Sequence, residues 1–211
     1  MSKWTEHKIY IYLALFFGLL FVFLTPPFQS PDEDSHFKKA YVISKGQILP
    51  KKVDNKLTYK LPQNMNIYIY EQLAKMGKRN EKYSYENYYL DQTLRVDYGE
   101  QKYYEFSTVG CPLIAHIIPS IGIMVGNISS HIILEGDGSA PASYLVYFAR
   151  LACLLFYVIV CYFAIKRTPI YKKTMMLVSL LPMSLFIGSM VSYDGLFISL
   201  SLFLISNICS I

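Results

Sequence analysis

The spacing of apolar segments constrains the fold of this chain most strongly. A long polar stretch separates one charge-free segment, 9–24, from four further apolar segments, at 111–134, 144–165, 174–191 and 196–211. A helix rises about 1.5 Å per residue, so a segment as long as 9–24 can span a thin bilayer. We therefore predict an all-α polytopic membrane protein with about four spans and one large loop that itself contains helices.

The composition supports a membrane protein and disfavours several other classes. Only 17% of the residues are charged, against about 25% in average soluble domains. The polar loop, residues 25–110, holds 13 of the 20 Lys+Arg and 11 of the 15 Asp+Glu, and such a mixture of signs does not favour nucleic acid as a partner. The four cysteines show no C-x-x-C spacing, so neither a zinc site nor a disulfide framework is indicated.

Basic residues predict how the chain is oriented in the membrane. Lys3 and Lys8 precede the first apolar segment, so residues 1–24 are interpreted as a cytoplasmic N-terminus and a first span. A cleaved signal peptide is the alternative, but no small-x-small cleavage site follows. The basic cluster 166–173 (KRTPIYKK) stays cytoplasmic by the same rule, so 144–165 is predicted to run inward as the second span.

Residues 25–143 are then expected to be extracytoplasmic. The first span is predicted to run outward and the second to run inward. The chain between them must therefore cross the bilayer an even number of times or not at all. We therefore expect 111–134 to be a juxtamembrane or re-entrant helix, with an ordinary span as the alternative. Segment 174–191 is predicted to return outward as a third span, and 196–211 to begin a fourth.

A helix is predicted directly after the first span. Ser30 and Glu33 have the spacing of a capping box, and Gly46 is a suitable helix end. Residues 47–108 contain scattered Pro and Gly in a polar background, which predicts short irregular elements with one helix around Ile67–Lys78.

Two stretches resemble a known bacterial membrane family, domain of unknown function 2142 (DUF2142). TPPFQSPDEDSHFKKAYVISKG (25–46) is similar to its PPFQ-x-PDE-x-x-HF signature, and LLPMSLFIGSMVSYDG (180–195) is similar to its S-x-SYD segment. The family is usually placed among the GT-C glycosyltransferases, polytopic enzymes that transfer a sugar from a polyprenyl-phosphate carrier at the outer membrane face. The resemblance implies that this chain is the GT-C-like N-terminal bundle of such an enzyme, since GT-C members usually carry more spans.

The resemblance implies roles for three acidic residues. Asp32 and Glu33 occupy the acidic position after the first span, where a carboxylate can act as a base or hold a divalent metal ion. Asp194 follows the third span, on the same predicted outer side, and is expected to be a second acid. The residues alone leave other interpretations open, because acidic residues also favour helix starts and Tyr-Asp-Gly is a good turn sequence.

Three further residues are expected to bind substrate. His36 lies four residues after Asp32, and so on the same face of a helix. Arg150 and Lys38 are candidate partners of the donor phosphate, since a guanidinium can bind phosphate bidentately. The alternatives are a local hydrogen bond for His36 and snorkelling to the membrane surface for Arg150.

Two hypotheses about function follow. The first is a glycosyltransferase that uses a polyprenyl-phosphate-linked sugar at the outer face to modify a cell-envelope glycan or protein. The second is a non-catalytic membrane module that assembles with another membrane protein as a second subunit. Both place the chain in the cell membrane with the lipid bilayer as a partner. The cofactor stays open, a divalent metal ion being the one that the carboxylates could hold.

Overall fold

In the computed structural model, the residues described are 5–78, 80–81, 83, 100–133 and 140–210. The helices within them are α1 (Glu6–Leu24), α2 (Glu33–Ser44), α3 (Gln63–Ala74), α4 (Ile117–Ile133), α5 (Ala142–Arg167), α6 (Lys172–Ser179), α7 (Pro182–Ser189) and α8 (Tyr193–Ile208), with a 3₁₀ turn at Leu113–His116. The strands are β1 (Lys51–Val53), β2 (Lys56–Pro62) and β3 (Gln101–Tyr104).

The mostly helical class is confirmed. Among the described residues, α1, Leu113–Ser130 and α5 are long and apolar enough to cross a membrane, and α8 is a shorter apolar helix. Helices α1 and α5 cover the predicted first and second spans. Whether Leu113–Ser130 crosses the bilayer or lies along it stays a prediction, as does the total of four spans.

The chain divides into two compact units. We call residues 1–24 and 150–211 the bundle unit, and residues 25–149 the loop unit. The boundary falls inside α5. The loop unit therefore corresponds to the predicted loop together with the helix that follows it.

Small residues bring the helices of the bundle unit close together. Gly188 of α7 lies directly against the ring of Tyr157 of α5, whose hydroxyl donates to the Ser179 carbonyl at 2.8 Å. Ser206 Oγ of α8 donates to the Ala164 carbonyl of α5 at 2.8 Å. Close approach and interhelical hydrogen bonds of this kind replace the hydrophobic drive that helices lack in lipid.

The predicted third span, 174–191, is broken into α6 and α7 instead of forming one continuous helix. Leu181 adopts an extended conformation (φ −51°, ψ 133°), and Pro182 is the first residue of α7. Proline disfavours helical geometry in the residue before it and lacks the N–H that the preceding helix would need, so the chain restarts at this point.

The loop unit contains a small antiparallel sheet in the order β1-β2-β3, where the sequence predicts short irregular elements. Asp54 and Asn55 connect β1 to β2 with φ of 48° and 63°. Two positive φ values match a type I′ hairpin turn, which Asp and Asn tolerate well. Strand β3 comes from far along the chain and pairs with β2 so that Tyr104 lies opposite Tyr59.

Helix α2 begins two residues later than the capping-box spacing suggests. Asp32, not Ser30, is the N-cap. The C-terminal end of α2 is as predicted, because Gly46 takes φ 77°. The Gly46 N–H donates to the Ile43 carbonyl, and the Gln47 N–H donates to the Val42 carbonyl. That pair of bonds is a Schellman motif, which glycine closes without steric cost.

Candidate functional site

The acidic motif lies at the start of α2, and Asp32 occupies the cap position itself. Asp32 has φ 55° and ψ 9°, in the left-handed region, and its side chain is exposed. Within the part of the chain that the structure describes, its carboxylate forms no capping hydrogen bond to the helix. Asp and Asn tolerate this backbone conformation better than other non-glycine residues. The Asp32 carboxylate therefore lies at the positive, N-terminal end of α2 without forming a capping hydrogen bond.

Glu33, the neighbouring acid, has a different environment. Its side chain is fully buried, and Oε2 accepts the Phe28 backbone N–H at 3.0 Å. Phe28 also has a positive φ, 60°, and its ring packs edge-on against Phe37 with centroids 5.4 Å apart. The Glu33 carboxylate thus closes the turn that leads from α1 into α2, a role that needs no ligand.

His36 is paired with a histidine that sequence reasoning missed. Its Nδ1 lies 2.9 Å from Nε2 of His116, and the two rings stack with centroids 5.2 Å apart. Both side chains are buried, and His116 Nδ1 lies 3.4 Å from the Pro112 carbonyl. One ring must donate to the other, and a donor at Nδ1 of both rings satisfies both contacts. The sequence signal for this pair was the position of His116 inside an apolar segment, because an unpaired histidine is costly to bury.

The two lysines of α2 are buried and partnered. Lys38 pairs with Asp34 at 3.4 Å, and its Nζ lies 5.0 Å from the centroid of the Tyr70 ring. Burial lowers the pKa of Lys38, and the Asp34 carboxylate opposes that shift in the pKa. Lys39 Nζ donates to the Tyr59 hydroxyl at 3.0 Å and to the Val109 carbonyl at 2.8 Å. Lys39 therefore ties α2 to the sheet and to the segment before the 3₁₀ turn.

The remaining two predicted residues belong to the bundle unit. Arg150 is fully buried, and its Nη1 donates to the Val22 carbonyl at 3.0 Å. Asp194 is exposed in the first turn of α8. Ser192 caps this helix by accepting the Asp194 N–H at 3.1 Å, while its hydroxyl donates to the Asp194 carboxylate at 3.1 Å.

The structure brings together only part of the predicted site. Asp32, Glu33, His36 and Lys38 lie along one helix of the loop unit. That Asp194 shares their side of the membrane stays a prediction. Among the residues described, no three His, Cys, Asp or Glu side chains could together hold a metal ion. Coordination of a metal ion by Asp32 and Glu33 stays a prediction.

One comparison with known proteins gives a match. The sequence model of a family described as "Predicted membrane protein (DUF2142)" matches residues 15–211. No curated protein and no solved structure matches the chain. The match covers the second half of α1 and every later element, including both stretches that carry the family resemblance. The chain belongs to the DUF2142 family of predicted membrane proteins.

Proposed function

We propose that this chain is the N-terminal part of an integral-membrane glycosyltransferase. It would transfer a sugar from a polyprenyl-phosphate donor to a cell-envelope glycan or protein at the outer membrane face. The observation that carries the proposal is Asp32, an exposed carboxylate held in a left-handed backbone conformation at the start of α2 and not used to cap it. The family resemblance supplies the reaction class.

The proposed reaction needs a base. A hydroxyl oxygen of the acceptor attacks the anomeric carbon of the sugar, and the bond from that carbon to the phosphate oxygen breaks. The polyprenyl phosphate leaves with the electron pair, and Asp32 takes the proton of the attacking hydroxyl. Such general-base assistance contributes about 10²–10⁴-fold.

Asp32 is a better base than Glu33 in this proposal. The Glu33 carboxylate is enclosed and holds the Phe28 amide, so an acceptor could reach it only by opening the turn. Asp32 meets solvent directly. We assign Glu33 the task of fixing the backbone that presents Asp32.

The leaving phosphate needs positive partners, for which Arg150 and Lys38 are proposed; His36 is proposed to bind the substrate, with Asp194 as the second acid. Arg150 and Lys38 are cationic side chains that can stabilise the negative charge that builds on the phosphate. These assignments rest on the family resemblance.

A second function, a non-catalytic module that assembles with another membrane protein, is favoured by one specific observation. Glu33, His36, Lys38 and Arg150 are buried and each contacts another group of this chain. Such contacts are what a purely structural cluster would show.

The test compares Asp32→Asn with Asp54→Asn as its matched control. Asn tolerates the left-handed backbone of Asp32, so the fold is kept while the base is lost. Asp54 is also an exposed aspartate with a left-handed backbone, φ 48°, but it lies in the turn between β1 and β2, outside the acidic motif. Membranes that contain each full chain are incubated with radiolabelled glucose, mannose and N-acetylglucosamine carried on polyprenyl phosphate, and transfer to endogenous acceptors is counted.

We expect Asp32→Asn to lower transfer by about 10²–10⁴-fold at equal protein level, while Asp54→Asn stays close to wild type. Equal transfer by Asp32→Asn and wild type would contradict the proposal. No transfer by wild type, together with a membrane protein that copurifies with it, would support the non-catalytic alternative.

A further inference from the structure

We propose that an apolar groove between α5 and α8 binds an anionic glycerophospholipid, whose phosphate is held by Lys166 and Arg167. The groove lies wholly in the bundle unit and shares no residue with the proposed transferase site. It gives a binding role to the basic cluster 166–173, which served above only to predict orientation.

The groove has the size and lining of a lipid-chain site. Its volume is about 550 Å³, within the range of about 300–1,000 Å³ of ligand pockets. Apart from the two cations, its walls are apolar, formed by Phe156, Val160, Phe163, Leu200 and Phe203. An acyl chain is the natural occupant of such walls in a bilayer.

Both cations lie at one end of this groove. Lys166 and Arg167 form the last turn of α5 and line the cavity, and both are exposed. Arg167 can bind two oxygens of a phosphodiester at once, and Lys166 adds a point charge beside it. A negative headgroup joined to an apolar chain complements this arrangement of cations and apolar walls.

A hydrogen bond holds the helices together near that end. Ser206 Oγ of α8 donates to the Ala164 carbonyl at 2.8 Å, two residues before Lys166. The two walls are thus fixed next to the cations before any ligand arrives. Because the site is preformed, ligand binding loses less free energy to the ordering of side chains.

A second groove in the same unit provides an internal comparison. It is formed by α1 and by the chain around the break between α6 and α7, has a volume of about 230 Å³ and is lined only by apolar residues: Leu13, Phe17, Phe21, Leu180, Pro182 and Leu185. A lipid chain can lie in either groove, but only the first can distinguish headgroups by charge.

The cation positions favour a glycerophospholipid over the sugar donor. The positive-inside rule predicts that Lys166 and Arg167 lie in the cytoplasmic leaflet, whereas the proposed donor is used at the opposite face. Basic pockets beside spans on the cytoplasmic side are the sequence-readable sites for anionic lipid headgroups.

The test measures which lipids stay bound to the purified full chain, by native mass spectrometry with phosphatidylglycerol, phosphatidylcholine and polyprenyl phosphate. We expect preferential retention of phosphatidylglycerol. Lys166→Gln with Arg167→Gln should lower its affinity about 30-fold, since each cation contributes about fivefold. Lys172→Gln with Lys173→Gln removes the same charge from the same cluster outside the groove, and should cost about twofold or less.

Two bulky variants test the walls. Leu200→Trp fills the groove and should lower retention of phosphatidylglycerol, whereas Leu13→Trp fills the second groove and should leave the preference intact. Equal retention of the two glycerophospholipids would overturn the proposal. So would equal losses in the two double variants, or a larger loss of polyprenyl phosphate than of phosphatidylglycerol when Lys166 and Arg167 are replaced.

Discussion

The contact between α7 and α8 leads to a sharp prediction for Gly195→Ala. A Cβ on Gly195 would lie 2.7 Å from Gly188 Cα and 3.1 Å from the Ile187 carbonyl oxygen. Ordinary contacts of a Cβ begin at 3.4 Å, so the new methyl group is too close to Gly188 by about 0.7 Å (3.4 − 2.7). Because its neighbours are backbone atoms, no side-chain rotation can relieve the overlap, and the two helices must separate.

The cost follows from this overlap. Overpacking of a well-packed interior costs about 1–3 kcal/mol. In a chain of this size each kcal/mol lowers the Tm by about 2–4 °C, so we expect a decrease of about 2–12 °C. The assay heats the detergent-purified protein with a thiol-reactive fluorophore, because Cys153 and Cys161 are buried and react only when the bundle opens.

Two other glycines calibrate the result. Gly110 is exposed and a Cβ there meets nothing within 4 Å, so Gly110→Ala should leave the Tm unchanged. At Gly18 the three atoms nearest to the new Cβ all belong to the flexible Leu154 side chain, so Gly18→Ala should cost less than Gly195→Ala. A Tm for Gly195→Ala equal to that of wild type would refute the reasoning.

Two further predictions concern the buried lysines of α2. Lys39→Met removes the donor to the Tyr59 hydroxyl and the Val109 carbonyl. We expect the free energy of unfolding to fall by about 1–3 kcal/mol, which is measured as faster proteolysis of the loop unit. An unchanged rate of proteolysis would contradict this prediction. Because burial lowers the pKa of Lys38 in the folded state, with Asp34 opposing the shift, the unfolded chain binds more protons as the pH approaches 10.5. The free energy of unfolding should therefore rise with pH in that alkaline range, and Lys38→Met should flatten this part of a Tm-against-pH curve; an equal slope in both proteins would count against it.

The helices of the apolar segments could be located from the sequence because their signal is local. Segments 9–24 and 144–165 lack acidic residues and are bordered by basic ones, and α1 and α5 cover them. Gly46 predicted the end of α2 for an equally local reason, since the helix needs a residue with positive φ there.

The sheet could not be located in this way. Strand β2 pairs with β3, about 40 residues later in the chain, and no short-range pattern specifies that register. Pro182 is a local signal for the break between α6 and α7, but the apolar character of 174–191 favours one continuous span.

In the candidate site, too, local features could be predicted from the sequence and long-range contacts could not. Asp32 and Asp194 stand at helix starts, which their neighbouring residues indicate locally. The partner of His36 lies 80 residues away, and the bond from Phe28 to Glu33 depends on a tertiary turn. Glu33, a predicted catalytic acid, is buried and accepts the Phe28 N–H, and no local pattern reveals either the burial or the contact.

The central claim, that the acidic motif faces the outside, is tested most directly by cysteine labelling in intact spheroplasts. Single cysteines replace Lys45, exposed at the end of α2, or Lys173, exposed in the basic cluster. The background carries alanine at the native cysteines 111, 153, 161 and 209. We predict that a membrane-impermeant maleimide labels position 45 at once and position 173 only after permeabilisation. The reverse pattern would place Asp32 in the cytoplasm and contradict a transferase that acts at the outer face.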